Sequence, residues 1–179
     1  MTTIHIFLTG VTGIGKTTII DRFITNSGLT ADGMITYWER QNFGERELFL
    51  SPYSNGFQNC EKKHLLARQI NTQLIVSDDI SSVFDSVGSE ILDNSGKKDL
   101  IVIDELGFLE SDSFVFQQAV QRRLTGNVPI LGVIKPTRTE FLDKIRASPL
   151  VQVHEVTEKN RENLLDWLFD LGFCGFRRV

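Results

Sequence analysis

The eight residues Gly10 to Thr17 read G-V-T-G-I-G-K-T and follow an apolar run, Ile4 to Leu8, patterned like a buried strand. Their spacing, G-x-x-x-x-G-K-[ST], is that of a P-loop, whose backbone N–H groups curl around a triphosphate. Glycine belongs where the chain bends with its N–H groups inward, and Cβ atoms at Gly10, Gly13 and Gly15 are expected to obstruct that path. Lys16 is expected to reach the β- and γ-phosphates, and the Thr17 hydroxyl to ligate Mg²⁺. A helix from Lys16 to about Asn26 aims the positive end of its dipole at the same place. The expected ligand is a nucleoside triphosphate with Mg²⁺, lined by Gly10, Val11, Thr12, Gly13, Ile14, Gly15, Lys16, Thr17 and Thr18.

A second chemical cluster is D-L-I-V-I-D-E-L-G-F-L-E, Asp99 to Glu110. The apolar run Leu100 to Ile103 reads as a strand buried on both faces, and it delivers Asp104 and Glu105 to its carboxyl end, where open α/β sheets place their ligands. Beside a P-loop, an aspartate there holds Mg²⁺, and a following carboxylate can polarise the water that attacks the γ-phosphate. Asp104 and Glu105 fit those two roles. The residues Asp104 to Gly107 also satisfy the D-x-x-G pattern of GTP-binding switches, but no Asn-Lys-x-Asp signature for guanine occurs in the chain. A dedicated GTPase switch is therefore disfavoured.

The elements that must position these groups alternate between strand-like and helix-like, the pattern of a mostly parallel sheet with crossover helices. Met34 to Trp38 and Glu47 to Leu50, separated by Gln41, Asn42 and Gly44, predict a β-hairpin inserted after the first helix. Pro52 to Cys60 has the composition of a surface loop. Helices are expected over Ser81 to Leu92, Phe114 to Leu124, Thr139 to Arg146 and Arg161 to Leu171, and further strands over Val128 to Ile134 and Val151 to Val156. With 179 residues, 41% hydrophobic and 23% charged, the chain is sized for one domain spanning residues 1–179. It lacks a membrane-spanning apolar stretch and a signal-peptide pattern, so a cytoplasmic protein is expected. The net charge of −4 argues against a large nucleic-acid footprint, and Cys60 and Cys174 stand apart without metal-ligand spacing.

The order of these motifs resembles the family of small nucleoside-triphosphatases described from thermophiles, to which the cancer-related nucleoside-triphosphatase belongs. The resemblance rests on Gly10 to Thr18, on Gly33, Thr36 and Arg40 in the hairpin, on I-D-E-L-G with Glu110 following, and on V-T-E-K-N-R, Val156 to Arg161. It implies a three-layer α/β/α P-loop fold and slow, Mg²⁺-dependent hydrolysis of ATP, GTP and other triphosphates with little choice of base. Carried across residue by residue, Lys16 and Glu105 are catalytic, Thr17 and Asp104 hold the metal, and Asn160 and Arg161 touch the nucleotide. The chain departs from the family at Trp38, where a carboxylate is usual, and at Lys135, where a histidine is.

Phosphoryl transfer needs cations to offset the charge that develops on the γ-phosphate. Arg122, Arg123, Arg138, Arg146 and Arg161 are open candidates; Arg138 and Lys135 are favoured because they follow a strand's carboxyl end, and Arg138 is taken as a nucleotide contact. His5, His64 and His154 carry no assigned chemistry, and the aromatics Trp167, Phe169, Phe173 and Phe176 read as packing of the last helix and tail. Two other readings stay open beside hydrolysis: a nucleoside or nucleotide kinase, and a slow ATP-dependent accessory switch.

Overall fold

In the parallel half of the sheet, short apolar runs such as Leu100 to Ile103 and Ile130–Ile134 form the strands, and amphipathic stretches between them form the helices. The structure, a computed structural model, describes residues 2–54, 63–175 and 177–178. In chain order the elements are β1 (Thr2–Thr3), β2 (His5–Thr9), α1 (Lys16–Ser27), β3 (Ala31–Asn42), β4 (Glu45–Ser54), β5 (His64–Ile70) and β6 (Gln73–Val76). A helical stretch follows, made of α2 (Ile80–Val83), a π turn over Phe84–Gly88, and α3 (Ser89–Asn94). Then come β7 (Leu100–Leu106), α4 (Phe114–Leu124), β8 (Ile130–Ile134), α5 (Glu140–Ala147), β9 (Val151–Glu155), α6 (Arg161–Gly175) and β10 (Arg177–Arg178).

Eight strands form one sheet in the order β6-β5-β4-β3-β7-β8-β2-β9. From β3 to β9 every neighbouring pair is parallel, whereas β3 to β6 form an antiparallel meander. The alternation of side chains along a strand divides the core into two layers. On β7, Ile101 and Ile103 pack with Phe84, Leu92, Phe116, Val120 and Leu142 under α3, α4 and α5, while Leu100 and Val102 pack with Ile19, Ile20, Phe23, Leu165 and Leu168 under α1 and α6. A sheet covered on both faces by helices is the three-layer α/β/α architecture that the sequence implies.

Several boundaries differ from the sequence reading, each for a local reason. β8 starts at Ile130 rather than Val128, because Pro129 has no N–H for the ladder and contributes only its carbonyl, which accepts from Ile101. Thr139 caps α5 instead of opening it, its Oγ1 accepting from the Leu142 N–H at 3.2 Å. β7 runs on through Leu106, so Asp104 and Glu105 are the strand's own last turns of pleat and not residues beyond it. The inserted hairpin is longer than expected and continues into β5 and β6, which the sequence reading did not foresee. Pro52 to Ser54 finish β4, and the rest of the expected loop lies outside the described residues, as does Cys60. Among the described residues no helix is long and apolar enough to cross a membrane.

Candidate active site

The P-loop bridges the end of β2 and the start of α1, and its glycines are needed for two different reasons. Gly10 has φ 133°, and a Cβ there would stand 2.6 Å from the Val156 carbonyl oxygen. Gly13 and Gly15 also have positive φ, but space around them is open, so the expected obstruction by a Cβ holds at Gly10 alone. Lys16 is buried, and its ammonium donates to the carbonyls of Gly10 and Val11 at 3.0 and 2.9 Å. The loop therefore wraps its own lysine. Ile14 leans on the apolar layer beneath α1, while Val11, Thr12 and Thr18 face solvent.

Asp104 shares the face of Leu100 and Val102, and that face is the one α1 covers. The parity brings its Oδ2 within 2.6 Å of Thr17 Oγ1, which donates the hydrogen bond. Asp104 is 3% exposed, and burial pushes its carboxyl up to about 7 against the opposing pull of the Thr17 bond; the neighbouring Glu105 charge adds to the rise and Lys16 offsets it. The β7–β8 ladder skips from Ile103 to Leu106, and the Asp104–Glu105 peptide is cis. Glu105 then donates its N–H to Thr36 Oγ1 of β3 at 3.3 Å and sets its carboxylate against the Lys135 ammonium at 2.9 Å.

Lys135 follows β8 directly, tied by its N–H to the Leu106 carbonyl at 2.8 Å. Glu110, for which the sequence reading proposed no role beyond motif membership, lies 2% exposed behind this pair and accepts from the Gly107 N–H at 2.9 Å. Burial pushes its carboxyl up to about 7, opposed by its backbone donors and the nearby Lys135. Thr36 and Glu110 had a visible signal only in their place within the family's motifs.

The other sequence candidates divide clearly. Arg138 turns away to Asp143, 2.7 Å distant, and its side chain is 79% exposed. Arg146 bonds the carbonyls of Lys135 and Thr137 and so shapes the loop after β8. Asn160 closes its own turn, accepting from the Thr157 N–H at 2.7 Å and donating to the Glu155 carbonyl at 2.8 Å. Arg161 is exposed beside Glu162 at the start of α6. Arg122 pairs with Asp93 and Arg123 bonds the Ser95 carbonyl, both far along α4. His5 is a structural histidine: Nε2 lies 2.9 Å from the Leu124 carbonyl, and Nδ1 accepts from the Ile130 N–H at 3.1 Å.

The profile of a family described as NTPase matches residues 5–169, which takes in every element of this site. The chain belongs to this NTPase family. It is 34% identical over 179 residues to the human cancer-related nucleoside-triphosphatase, covering 90% of this chain and 92% of that one. It is 28% identical over 175 residues to the nucleoside-triphosphatase THEP1 of Thermotoga maritima, covering 90% and 91%. The crystal structure of THEP1 from Aquifex aeolicus superposes with a TM-score of 0.71 at 22% identity, over 94% of this chain and 99% of that one, a likeness of fold.

The site also fits a hard divalent cation. Two oxygen donors, the Thr17 hydroxyl and the Asp104 carboxylate, already converge, and the carboxylate is buried with a single side-chain partner. Among the described residues no three His, Cys, Asp or Glu side chains cluster to cage a metal. An ion at this point would complete its shell with phosphate oxygens and water, as Mg²⁺ commonly does.

Proposed function

We propose that this single P-loop domain hydrolyses the terminal phosphoanhydride of nucleoside triphosphates, with Mg²⁺ as cofactor and little preference among bases. The observation that carries the proposal is the 2.6 Å bond from Thr17 to Asp104, which ties the phosphate loop to the strand end bearing Glu105. The family and its named relatives support the same activity.

The P-loop N–H groups and Lys16 bind the β- and γ-phosphates; on entry of the triphosphate, Lys16 exchanges two carbonyl partners for phosphate oxygens. Thr17 and Asp104 would hold Mg²⁺, which when bound neutralises charge on the bridging and terminal phosphate oxygens. Glu105 orients a water in line with the γ-phosphorus and takes up its proton. Asn160 spends both ends of its amide on its own turn, which fixes the chain at the entry to α6.

Phosphate release from ATP, GTP, CTP and UTP, with Mg²⁺ or with chelator, tests this directly, with nucleosides and nucleoside monophosphates added as acceptors. Hydrolysis of all four within about tenfold in kcat/KM, a spread of ~1.4 kcal/mol, is expected. Phosphate appearing on an acceptor faster than on water would instead make the protein a kinase.

A further inference from the structure

Lys135 stands where the resembled family usually has a histidine, and the structure gives it a built setting. Its Nζ lies 2.9 Å from Glu105 Oε1, with the lysine side chain 29% and the glutamate 27% exposed, so the pair is partly shielded from water. Its stem crosses the bare Cα of Gly107: a Cβ at that glycine would come within 3.2 Å of Lys135 Cδ. Its ammonium stands 5.7 Å from the centroid of the Phe108 ring. The Lys135 backbone is pinned on both sides, its N–H by the Leu106 carbonyl and its own carbonyl by Arg146. This is a positioned side chain, unlike Arg138 in the same loop.

Other cations near the parallel strand ends are placed differently. Lys16 belongs to the P-loop, Arg138 pairs with Asp143, Arg146 bonds loop carbonyls, and Arg161 sits exposed at the start of α6. A water held by Glu105 and poised on the γ-phosphorus lies about 3 Å from each. The γ-phosphate oxygens are then within roughly 6 Å of the Glu105 carboxylate, a span that a lysine side chain covers by rotation.

We propose that Lys135 is a second cation, beside Lys16, that meets the γ-phosphate as it transfers, and that its ion pair with Glu105 restrains the carboxylate that will orient the water. The proposal deepens the hydrolase reading and rests on its assignment of Glu105. Arrival of the triphosphate offers the ammonium a more highly charged anion beside it. Lys135 moves across, and both Glu105 oxygens become free to accept from water. In the step itself the water oxygen bonds to the γ-phosphorus and its proton passes to Glu105. The bond from phosphorus to the β,γ-bridging oxygen breaks, with its electron pair leaving on the nucleoside diphosphate. Lys135 keeps its proton throughout and contributes charge alone.

The test compares the wild-type protein with Lys135→Ala and Lys135→Met, the latter keeping a stem against Gly107 and Phe108. Both are measured for kcat, KM, and affinity for two probes: Mg·ADP with aluminium fluoride, which mimics the transferring phosphoryl group, and the non-hydrolysable Mg·AMPPNP. The expectation is a fall of roughly 10²–10³ in kcat and a matching loss of aluminium fluoride complex affinity, with AMPPNP affinity changed by less than about fivefold. Equal weakening of both probes would overturn the proposal, since that marks a binding or structural residue. So would a rate at or above wild type, which leaves only the restraint. Because the fluoride complex requires no proton transfer, this result stands apart from that of Glu105→Gln: wild-type hydrolysis in that variant removes the hydrolase assignment of Glu105 without touching the probe comparison.

Discussion

Replacing Glu110 by glutamine should make the protein more stable in the absence of nucleotide, and increasingly so as pH rises. Glu110 is 2% exposed, and burial raises its carboxyl from 4.5 to about 7. A raised carboxyl stabilises the folded state fully below its unfolded value, and that contribution is lost as pH climbs through the folded one. Ionised, Glu110 thus costs the folded state about 3 kcal/mol, from the separation between 4.5 and about 7 at ~1.4 kcal/mol per decade. Glutamine keeps an oxygen to accept from Gly107 and removes the charge, so the variant escapes that cost. Working the linkage through, its advantage should be about 1 kcal/mol near pH 5.5 and about 3 kcal/mol near pH 8.5. Urea denaturation at both pH values, with chelator present, measures the difference. An advantage flat with pH, or a variant less stable than wild type at the higher value, would refute the reasoning.

Other expectations follow from the same geometry. His5 is buried and neutral, lowered from 6.5 to about 4 by desolvation, so the unfolded chain takes up a proton first as pH falls through that window. Wild type should therefore lose about 2 kcal/mol relative to His5→Gln between roughly pH 7 and pH 4.5, read by urea denaturation as a difference between the two proteins, because Glu110 shifts in the opposite sense. Gly33→Ala should be far more damaging than Gly28→Ala. A Cβ at Gly33 would fall 2.0 Å from the Val102 carbonyl oxygen, whereas Gly28 caps α1 in open space and its replacement costs about 1 kcal/mol. Comparable melting temperatures for the two would contradict the close approach of β3 to β7. Asp104→Asn should raise the Mg²⁺ concentration needed for triphosphate binding while leaving binding of the nucleotide without metal nearly intact, as followed by titration calorimetry.

The parts of the site that were legible from sequence are those whose chemistry dictates residue type over a short span. Gly10 to Thr17 can be read because curling a backbone around phosphate restricts the choice at each glycine. Asp104 can be read because Leu100 to Ile103 are apolar on both faces, which marks a central strand and its end. The far half of the meander carried no such signal. β5 mixes buried Leu66 and Ala67 with half-exposed neighbours, and all four residues of β6 are exposed, so neither alternates. Its turn at Asn71 and Thr72 lacks the Asn-Gly pair that announces a tight hairpin. The pairing of Lys135 with Glu105 was invisible for another reason: thirty positions of chain separate them, and only the adjacency of β7 and β8 brings them together.

The central claim is that Asp104 and Glu105 divide the work, one holding metal and the other preparing water. Single-turnover release of γ-phosphate by Glu105→Gln, measured beside its ATP affinity, tests that division most directly. Glutamine keeps the shape of the side chain and removes its charge, so phosphate release should slow by roughly 10²–10⁴ while ATP binds within a few-fold of wild type. Release at the wild-type rate, or a loss of binding as large as the loss of rate, would contradict the account.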